Sequence, residues 1–258
     1  RYAEEIQTPE FGFGLESVLR ARSGSLRGIL NGADCEFWNP ATDQHLAARF
    51  DRRDPAGKRE CKRALLQEAG LHPEREARPV IGIVSRFVAQ KGLDLLAKIP
   101  HELVAENVSL VVLGSGDQPQ QDFFRWFAQA YPAKVAVRIG YGEGLAHRII
   151  AGSDLLLMPS RYEPCGLNQI YAMRYGTLPV VRATGGLADT VGEDTGFRFE
   201  SHDPYTLLEC IRSAVRVYGS GRWAKMMDAA MRRDFSWRRA ADQYVKLYRA
   251  AAEPRADT

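Results

Sequence analysis

Residues 154–191 read D-L-L-L-M-P-S-R-Y-E-P-C-G-L-N-Q-I-Y-A-M-R-Y-G-T-L-P-V-V-R-A-T-G-G-L-A-D-T-V, and they contain two strand–loop–helix passages in succession. The apolar run 155–158 is typical of a strand that is buried on both faces of a parallel sheet. Helical spacing follows over 167–176, where a glycine closes the helix. A second buried strand is predicted at 178–181, and Thr-Gly-Gly at 184–186 opens the next helix. This alternation predicts an α/β fold.

Apolar runs elsewhere extend the same pattern toward both ends of the chain. Further strands are predicted at 80–84, 110–113 and 135–139, with helices at 121–131, 204–218 and from 236 onward. The charge-dense segment 58–70 predicts a solvated helix without a chemical role, and 27–32 predicts a brief strand. The fold class is therefore α/β, a Rossmann-like open parallel sheet with helices on both faces.

The loops of the quoted stretch lie where a parallel sheet binds ligands, at the carboxyl ends of its strands. The helix that begins near Gly166 offers unpaired backbone N–H groups, which suit a phosphate. Gly166, Gly185 and Gly186 allow close approach of the backbone to a ligand. Glu163 is placed to accept hydrogen bonds from sugar hydroxyls. The simpler interpretation is that these are ordinary turn residues and a solvated carboxylate.

The segment after the 80–84 strand, S-R-F-V-A-Q-K-G (85–92), carries two cations five residues apart. The planar fork of Arg86 and the point charge of Lys91 can converge on one pyrophosphate. Cations on surface loops are more often simply solvated. The pair alone therefore leaves both interpretations open.

Three other features give weaker signals. Gly114-Ser115-Gly116-Asp117 lacks the third glycine of the dinucleotide fingerprint, which argues against a nicotinamide site. Tyr141, between two glycines, either lies flat against a base or packs at a rim. Asn31-Gly32 is a turn-forming pair, and His147 is interpreted as helix packing or polar surface.

E-P-C-G-L at 163–167, T-G-G-L-A-D-T-V at 184–191 and the loop 85–92 together resemble the bacterial glycogen synthase and starch synthase family. That family consists of retaining, ADP-glucose-dependent glycosyltransferases with two Rossmann-like domains (GT-B type). The resemblance covers nearly the whole chain and implies the carboxyl-terminal, nucleotide-sugar-binding half. It divides the chain into the end of an amino-terminal acceptor domain and the crossover (1–48), the nucleotide-sugar domain (49–235), and a helix returning to the amino-terminal domain (236–258).

The resemblance also implies roles for individual residues. Arg86 and Lys91 are expected to hold the distal phosphate and stabilise the departing nucleoside diphosphate, and Glu163 is expected to hold the glucose. The implied donor-binding residues are Asn31, Gly116, Tyr141, Cys165, Gly166, Leu167, Asn168, Thr184, Gly185 and Gly186.

Tyr171 and Asn168 are two positions at which this chain can be compared with its relatives. Relatives that use other sugar nucleotides usually carry a second glutamate eight positions after the first, where this chain has Tyr171. The glycogen synthase branch also departs from that second glutamate. Asn168 replaces a common threonine, which leaves a backbone phosphate contact intact but puts a hydroxyl contact in doubt.

The activity implied is transfer of glucose to the non-reducing end of an α-1,4-glucan with retention, and no metal or cofactor is expected. The family's lysine-glycine-glycine loop and its histidine near the anomeric carbon lie in the amino-terminal domain. This chain alone is therefore expected to bind nucleotide but to turn over little. The alternatives are a UDP-sugar-dependent enzyme of the same fold and a binding module without activity.

Composition sets limits on partners and location. A net charge of +3 is too small to argue for nucleic acid, and no run approaches the ~20 apolar residues of a membrane span. The cysteines are not spaced for zinc or redox chemistry, which favours reduced thiols in a cytosolic protein; they are Cys35, Cys61, Cys165 and Cys210. The resemblance implies a bacterial cytoplasm. The chain begins at Arg1, so a preceding segment is expected and targeting signals stay open.

Overall fold

The computed structural model describes residues 1–252; the last six residues of the predicted terminal segment lie outside that range. Its centre is a six-stranded parallel sheet with strand order β3-β2-β1-β4-β5-β6. The strands are β1 (Val80–Phe87), β2 (Ser109–Gly116), β3 (Val135–Ile139), β4 (Leu155–Met158), β5 (Leu178–Arg182) and β6 (Phe197–Phe199). The chain starts at the middle of the sheet, moves outward, and returns to the middle at β4.

This return creates a crevice. β1 pairs with β2 along its full length, up to Phe87 opposite Gly116, but it pairs with β4 only at Ile81 and Gly82. Beyond Gly82 the two central strands are no longer hydrogen-bonded to each other. In open α/β sheets, ligands bind at this point of reversal, outside the carboxyl ends of the strands.

Helices cover both faces of the sheet, which confirms the predicted fold class. They are α1 (Tyr2–Glu5), α2 (Glu16–Ala21), α3 (Ala56–Glu68), α4 (Pro100–Ala105), α5 (Gln118–Ala130), α6 (Glu143–Gly152), α7 (Asn168–Arg174), α8 (Gly185–Thr190), α9 (Pro204–Val217), α10 (Gly221–Arg232) and α11 (Trp237–Ala252). Ile81 and Ile83 of β1 pack in a core cluster with α5 and α9, whereas Val80, on the opposite face, packs with α3 and α6. Within residues 1–252, no helix has the length and apolar character needed to span a membrane.

Three local predictions are corrected. The first strand runs to Phe87 rather than ending at residue 84, so Arg86 lies on the strand and not in a loop. β2 likewise extends through Gly116, because its Gly-Ser-Gly end continues the parallel ladder with β1. The strand predicted at 27–32 is absent from the described residues. The pairing nearest to it is an isolated bridge between Ala33 and Ser236.

The prediction that α3 is simply solvated is wrong for one of its faces, where Lys58 and Lys62 are buried. Lys58 Nζ donates to Ala151 O (2.9 Å), Ser153 O (3.0 Å) and Thr177 Oγ1 (2.7 Å). Lys62 Nζ lies 2.7 Å from each of Arg78 O, Asp154 Oδ2 and Tyr218 OH. Burial lowers the pKa of Lys58 to about 8. The two ammonium groups bind α3 to the amino-terminal edge of the sheet, opposite the crevice.

Candidate active site at the sheet reversal point

A cavity of about 440 Å³ lies at the carboxyl ends of β1 and β4. It brings together most of the residues predicted for the site, although they come from three separate parts of the chain. Those lining it are Asn31, Arg86, Lys91, Glu163, Cys165, Gly166, Leu167 and Asn168. Because the cavity sits where the sheet reverses direction, its position follows from the strand order.

The two cations differ in their surroundings. Arg86 is exposed at the end of β1, and within residues 1–252 its guanidinium forms no ion pair or hydrogen bond. Lys91 follows in a short 3-10 turn (Ala89–Lys91), and its Nζ lies 2.5 Å from Glu163 Oε2. Ser160 Oγ lies 3.2 Å from the same carboxylate oxygen, and Glu163 is buried. The cavity therefore contains one uncommitted cation and one cation paired with the buried carboxylate.

The start of α7 forms a further wall of the cavity. Gly166 has φ +70°, a conformation that favours glycine, and a Cβ there would collide with Gln169. The side-chain amide of Asn168 donates to Val84 O at 2.8 Å, so it ties the helix to β1. The backbone N–H groups of Leu167 and Asn168 donate no hydrogen bond within the described range, which leaves them available to a ligand. Burial raises the pKa of the Cys165 thiol.

Thr184, Gly185 and Gly186 lie beside the cavity rather than in its lining. Gly185 N donates to both carboxylate oxygens of Glu5, at 2.9 and 3.0 Å, and Thr184 Oγ1 donates to one of them at 3.0 Å. Gly186 N donates to the backbone oxygen of Glu163 at 2.9 Å. A Cβ at Gly185 would lie 2.1 Å from that same oxygen. In this structure the glycines hold the Glu163 loop in place, and their contact with glucose stays a prediction.

The sequence reasoning did not single out Glu5. The signal was present in Y-A-E-E-I (2–6), but nothing local distinguishes Glu5 from the neighbouring exposed Glu4. The side chain of Glu5 is only 10% exposed, and it joins α1 to the amino end of α8 across 180 positions of sequence. This contact links α1 to the loop that positions Glu163.

Two further predicted donor-binding residues also lie outside the cavity. Gly116 ends β2 opposite Phe87, and a Cβ there would meet Phe87 O at 2.2 Å, so close strand packing explains the glycine. Tyr141, between β3 and α6, is 86% exposed and borders a separate groove beside Arg138 and Arg148. Their predicted contacts with the donor stay predictions.

Residues 68–225 match the family model of glycosyl transferases group 1. The chain belongs to this glycosyltransferase family. It is 51% identical to a glycogen synthase of Koribacter versatilis (strain Ellin345) over 99% of this chain and 54% of that protein. It is 47% identical to a glycogen synthase of Streptococcus sanguinis (strain SK36) over 96% of this chain and 54% of that protein. The glycosyltransferase chain thus spans about half the length of these relatives.

A solved structure is similar to this glycosyltransferase over the same extent. It is the catalytic domain of starch synthase IV from Arabidopsis thaliana, bound to ADP and acarbose. The TM-score is 0.91 at 37% identity, covering 98% of this chain and 54% of that chain.

Tyr171 lies eight positions after Glu163 in this glycosyltransferase and does not line the cavity. Its ring stacks on Trp38 (centroids 4.1 Å apart, 7° between planes), and Trp38 stacks on His147 (3.7 Å, 9°). His147 is buried, which confirms the packing interpretation, and its Nδ1 lies 2.7 Å from Asp43 Oδ2. Burial acts to raise the pKa of Asp43, but hydrogen bonds from Tyr175 and His147 hold that pKa below its usual value. Tyr171 therefore packs α7 against the segment that carries Trp38.

Proposed function

We propose that this chain is the donor-binding half of an ADP-glucose-dependent α-1,4-glucan synthase, a glycogen or starch synthase. The enzyme transfers glucose to the non-reducing end of a glucan with retention of configuration. The observation that carries the proposal is the convergence of Arg86, Lys91 and Glu163 on one cavity at the reversal point of a group 1 glycosyltransferase fold. Identities near 50% to glycogen synthases support this choice within the family.

The cavity contains the groups needed to stabilise a departing diphosphate. Arg86 has no acidic partner within residues 1–252, so its guanidinium is available to a phosphate. The donor's phosphate replaces Glu163 as the partner of Lys91, and the released carboxylate then accepts hydrogen bonds from glucose hydroxyls. Two cations and the free amides at the start of α7 offset the charge that develops on the leaving group, and this effect is preorganised. The chain's own residues thereby bind, orient and stabilise the donor.

The choice of donor and acceptor rests on similarity rather than on the cavity alone. The starch synthase IV structure carries ADP and acarbose, which supports an adenine nucleotide and a glucan for this protein. We also propose the division into 1–48, 49–235 and 236–258, an amino-terminal domain of the same protein as partner, and a cytoplasmic location. Within the described residues, no group of three or more His, Cys, Asp or Glu side chains is arranged to hold a metal.

Calorimetric titration with ADP, UDP and ADP-glucose tests the proposal, on this chain and on the full-length protein. We expect the adenine nucleotides to bind more tightly than UDP. Lys91→Ala is expected to weaken ADP binding roughly ten- to hundredfold, because a charge-assisted contact to the phosphate is lost. Lys98→Ala is the matched control, since Lys98 is an exposed lysine in the next 3-10 segment, Leu93–Lys98, away from the cavity.

The outcomes separate the candidates. A preference for UDP would favour a UDP-sugar-dependent enzyme instead. Nucleotide binding by a full-length protein that transfers no glucose would favour a binding module without activity. Robust glucan synthesis by the 258-residue chain alone would contradict the expectation that catalysis needs the amino-terminal domain.

A further inference from the structure

An aromatic side chain is held in an unfavourable backbone conformation next to the candidate site. Phe13 has φ +50°, in the left-handed region that bulky residues rarely adopt, and Gly14 follows with φ +88°. The loop is held by hydrogen bonds from Gly14 N to Glu16 Oε2 (3.0 Å) and from Gly12 N to Thr8 O (2.8 Å). Residues in such conformations persist only where the surroundings enforce them, and they cluster at functional sites. Despite this restraint, the Phe13 side chain is 70% exposed.

The contacts of Phe13 direct it toward the loop that carries Glu163. Its ring meets Tyr162 edge to face, with centroids 5.4 Å apart and 66° between the planes. Tyr2 lies near the same loop, because its Cβ is 3.4 Å from the position that a Cβ at Gly185 would take, beside Glu163 O. Burial raises the pKa of the Tyr2 hydroxyl. None of these three aromatic side chains lines the 440 Å³ cavity. An aromatic cluster therefore borders Glu163 outside the space assigned to the diphosphate.

We infer that Phe13, supported by Tyr162, is a platform for the glucan acceptor, on which a sugar ring of the acceptor stacks before transfer. The inference rests on the proposed function. A pyranose ring presents a face of C–H bonds, which packs on the face of an aromatic ring, while its hydroxyl groups stay hydrated at the edge. An exposed, restrained phenyl ring meets that requirement.

The position of the cluster follows the geometry of the reaction. The acceptor's attacking hydroxyl must reach the anomeric carbon of a glucose held at Glu163. The acceptor must therefore lie beside Glu163 but outside the cavity that takes the diphosphate. Tyr162 precedes Glu163 in the chain, Phe13 packs on Tyr162, and neither ring lines that cavity, which meets both conditions. The platform is continuous with the candidate site through the peptide bond between Tyr162 and Glu163.

Steady-state kinetics of the full-length protein, with ADP-glucose and maltoheptaose varied in turn, tests the inference. Phe13→Asn removes the ring while retaining a residue that tolerates the left-handed conformation. We expect it to raise the KM for maltoheptaose about tenfold while the KM for ADP-glucose stays within about twofold. Phe13→Tyr, which keeps the ring, should restore the acceptor KM. Leu15→Ala, an exposed apolar side chain two positions along, is the control and should change neither KM.

The kinetic results distinguish failure of the acceptor platform from failure of the proposed function. An unchanged maltoheptaose KM in Phe13→Asn overturns the inference and leaves the proposed function intact. A lower melting temperature with both KM values altered also overturns it, because the ring then supports the folded structure rather than the acceptor. A wild-type protein that extends no glucan overturns the proposed function and the inference together.

Discussion

The ion pair between Lys62 and Asp154 gives the strongest stability prediction for this chain. Nζ lies 2.7 Å from Oδ2, and the two side chains are only 7% and 12% exposed. Asp154 Oδ2 also accepts a hydrogen bond from Val80 N at 2.8 Å, so the carboxylate stays buried whether or not the lysine is present. Lys62→Met keeps much of the side-chain volume but removes the charge. A carboxylate left without its partner in such a site costs about 3–5 kcal/mol.

That loss is a large fraction of the roughly 5–15 kcal/mol by which domains are stable. Urea unfolding of the 258-residue chain, followed by far-UV circular dichroism, measures it at neutral pH. Arg59→Met is the control, because the Arg59 side chain is 78% exposed and its ion pair with Glu76 Oε1 is long, at 3.8 Å, so that its loss should matter little. Adding Asp154→Asn to Lys62→Met removes the unpaired charge and should recover part of the loss. A decrease below about 1 kcal/mol for Lys62→Met would refute the reasoning, since exposed pairs contribute that little.

Three further predictions concern the pH dependence of stability, the contact of Glu5 with Gly185, and the hydrogen bond from Asn168 to Val84 O. The pKa of Lys58 is about 8 in the folded chain, below its ordinary 10.5, so the unfolded chain binds the proton more tightly. The free energy of unfolding therefore rises as the pH increases from about 8 to 10.5. Lys58→Met should be less stable than the wild type, and this difference in the free energy of unfolding should be about 1–2 kcal/mol larger at pH 9.5 than at pH 7.5. An equal difference at the two pH values would contradict the prediction. Glu5→Ala releases the glycine loop and should lower kcat/KM of the full-length protein roughly tenfold. Glu4→Ala, at an exposed position, should not, and equal effects of the two would argue against the contact. Asn168→Thr loses the hydrogen bond to Val84 O and should lower the free energy of unfolding in urea by about 0.5–1.5 kcal/mol. ADP binding measured by calorimetry should not weaken. Weaker ADP binding would mean that the side chain contacts the nucleotide.

Most of the regular structure was predictable because it is encoded locally. Apolar runs such as Leu155–Met158 identified the central strands, and Gly176 marked the end of α7, where it adopts φ +66°. Strand ends were harder. Arg86 and its neighbours look like a loop because they are polar, yet they continue β1 because Gly114–Gly116 of β2 is free to pair with them.

The burial of Lys58 and Lys62 was not predictable from their surroundings in sequence. A charge-dense helix suggests a solvated face, and nothing within α3 shows that acceptors lie beneath it. Those acceptors include Ala151, Asp154 and Thr177, which are 92 or more positions further along the chain. They meet α3 only because β4 lies next to β1 in the sheet.

For the site, the sequence by itself determined the residue types and the edge of the sheet where they lie. The glycines, Arg86, Lys91 and Glu163 all follow predicted strands, and parallel strands bring their carboxyl ends to one edge. The tertiary structure alone decided which of them meet: Lys91 pairs with Glu163 across 72 positions, and Glu5 reaches Gly185 across 180. The physical reason is that periodicity and capping report on contacts within a turn or a strand, whereas contacts between distant segments depend on strand order and register.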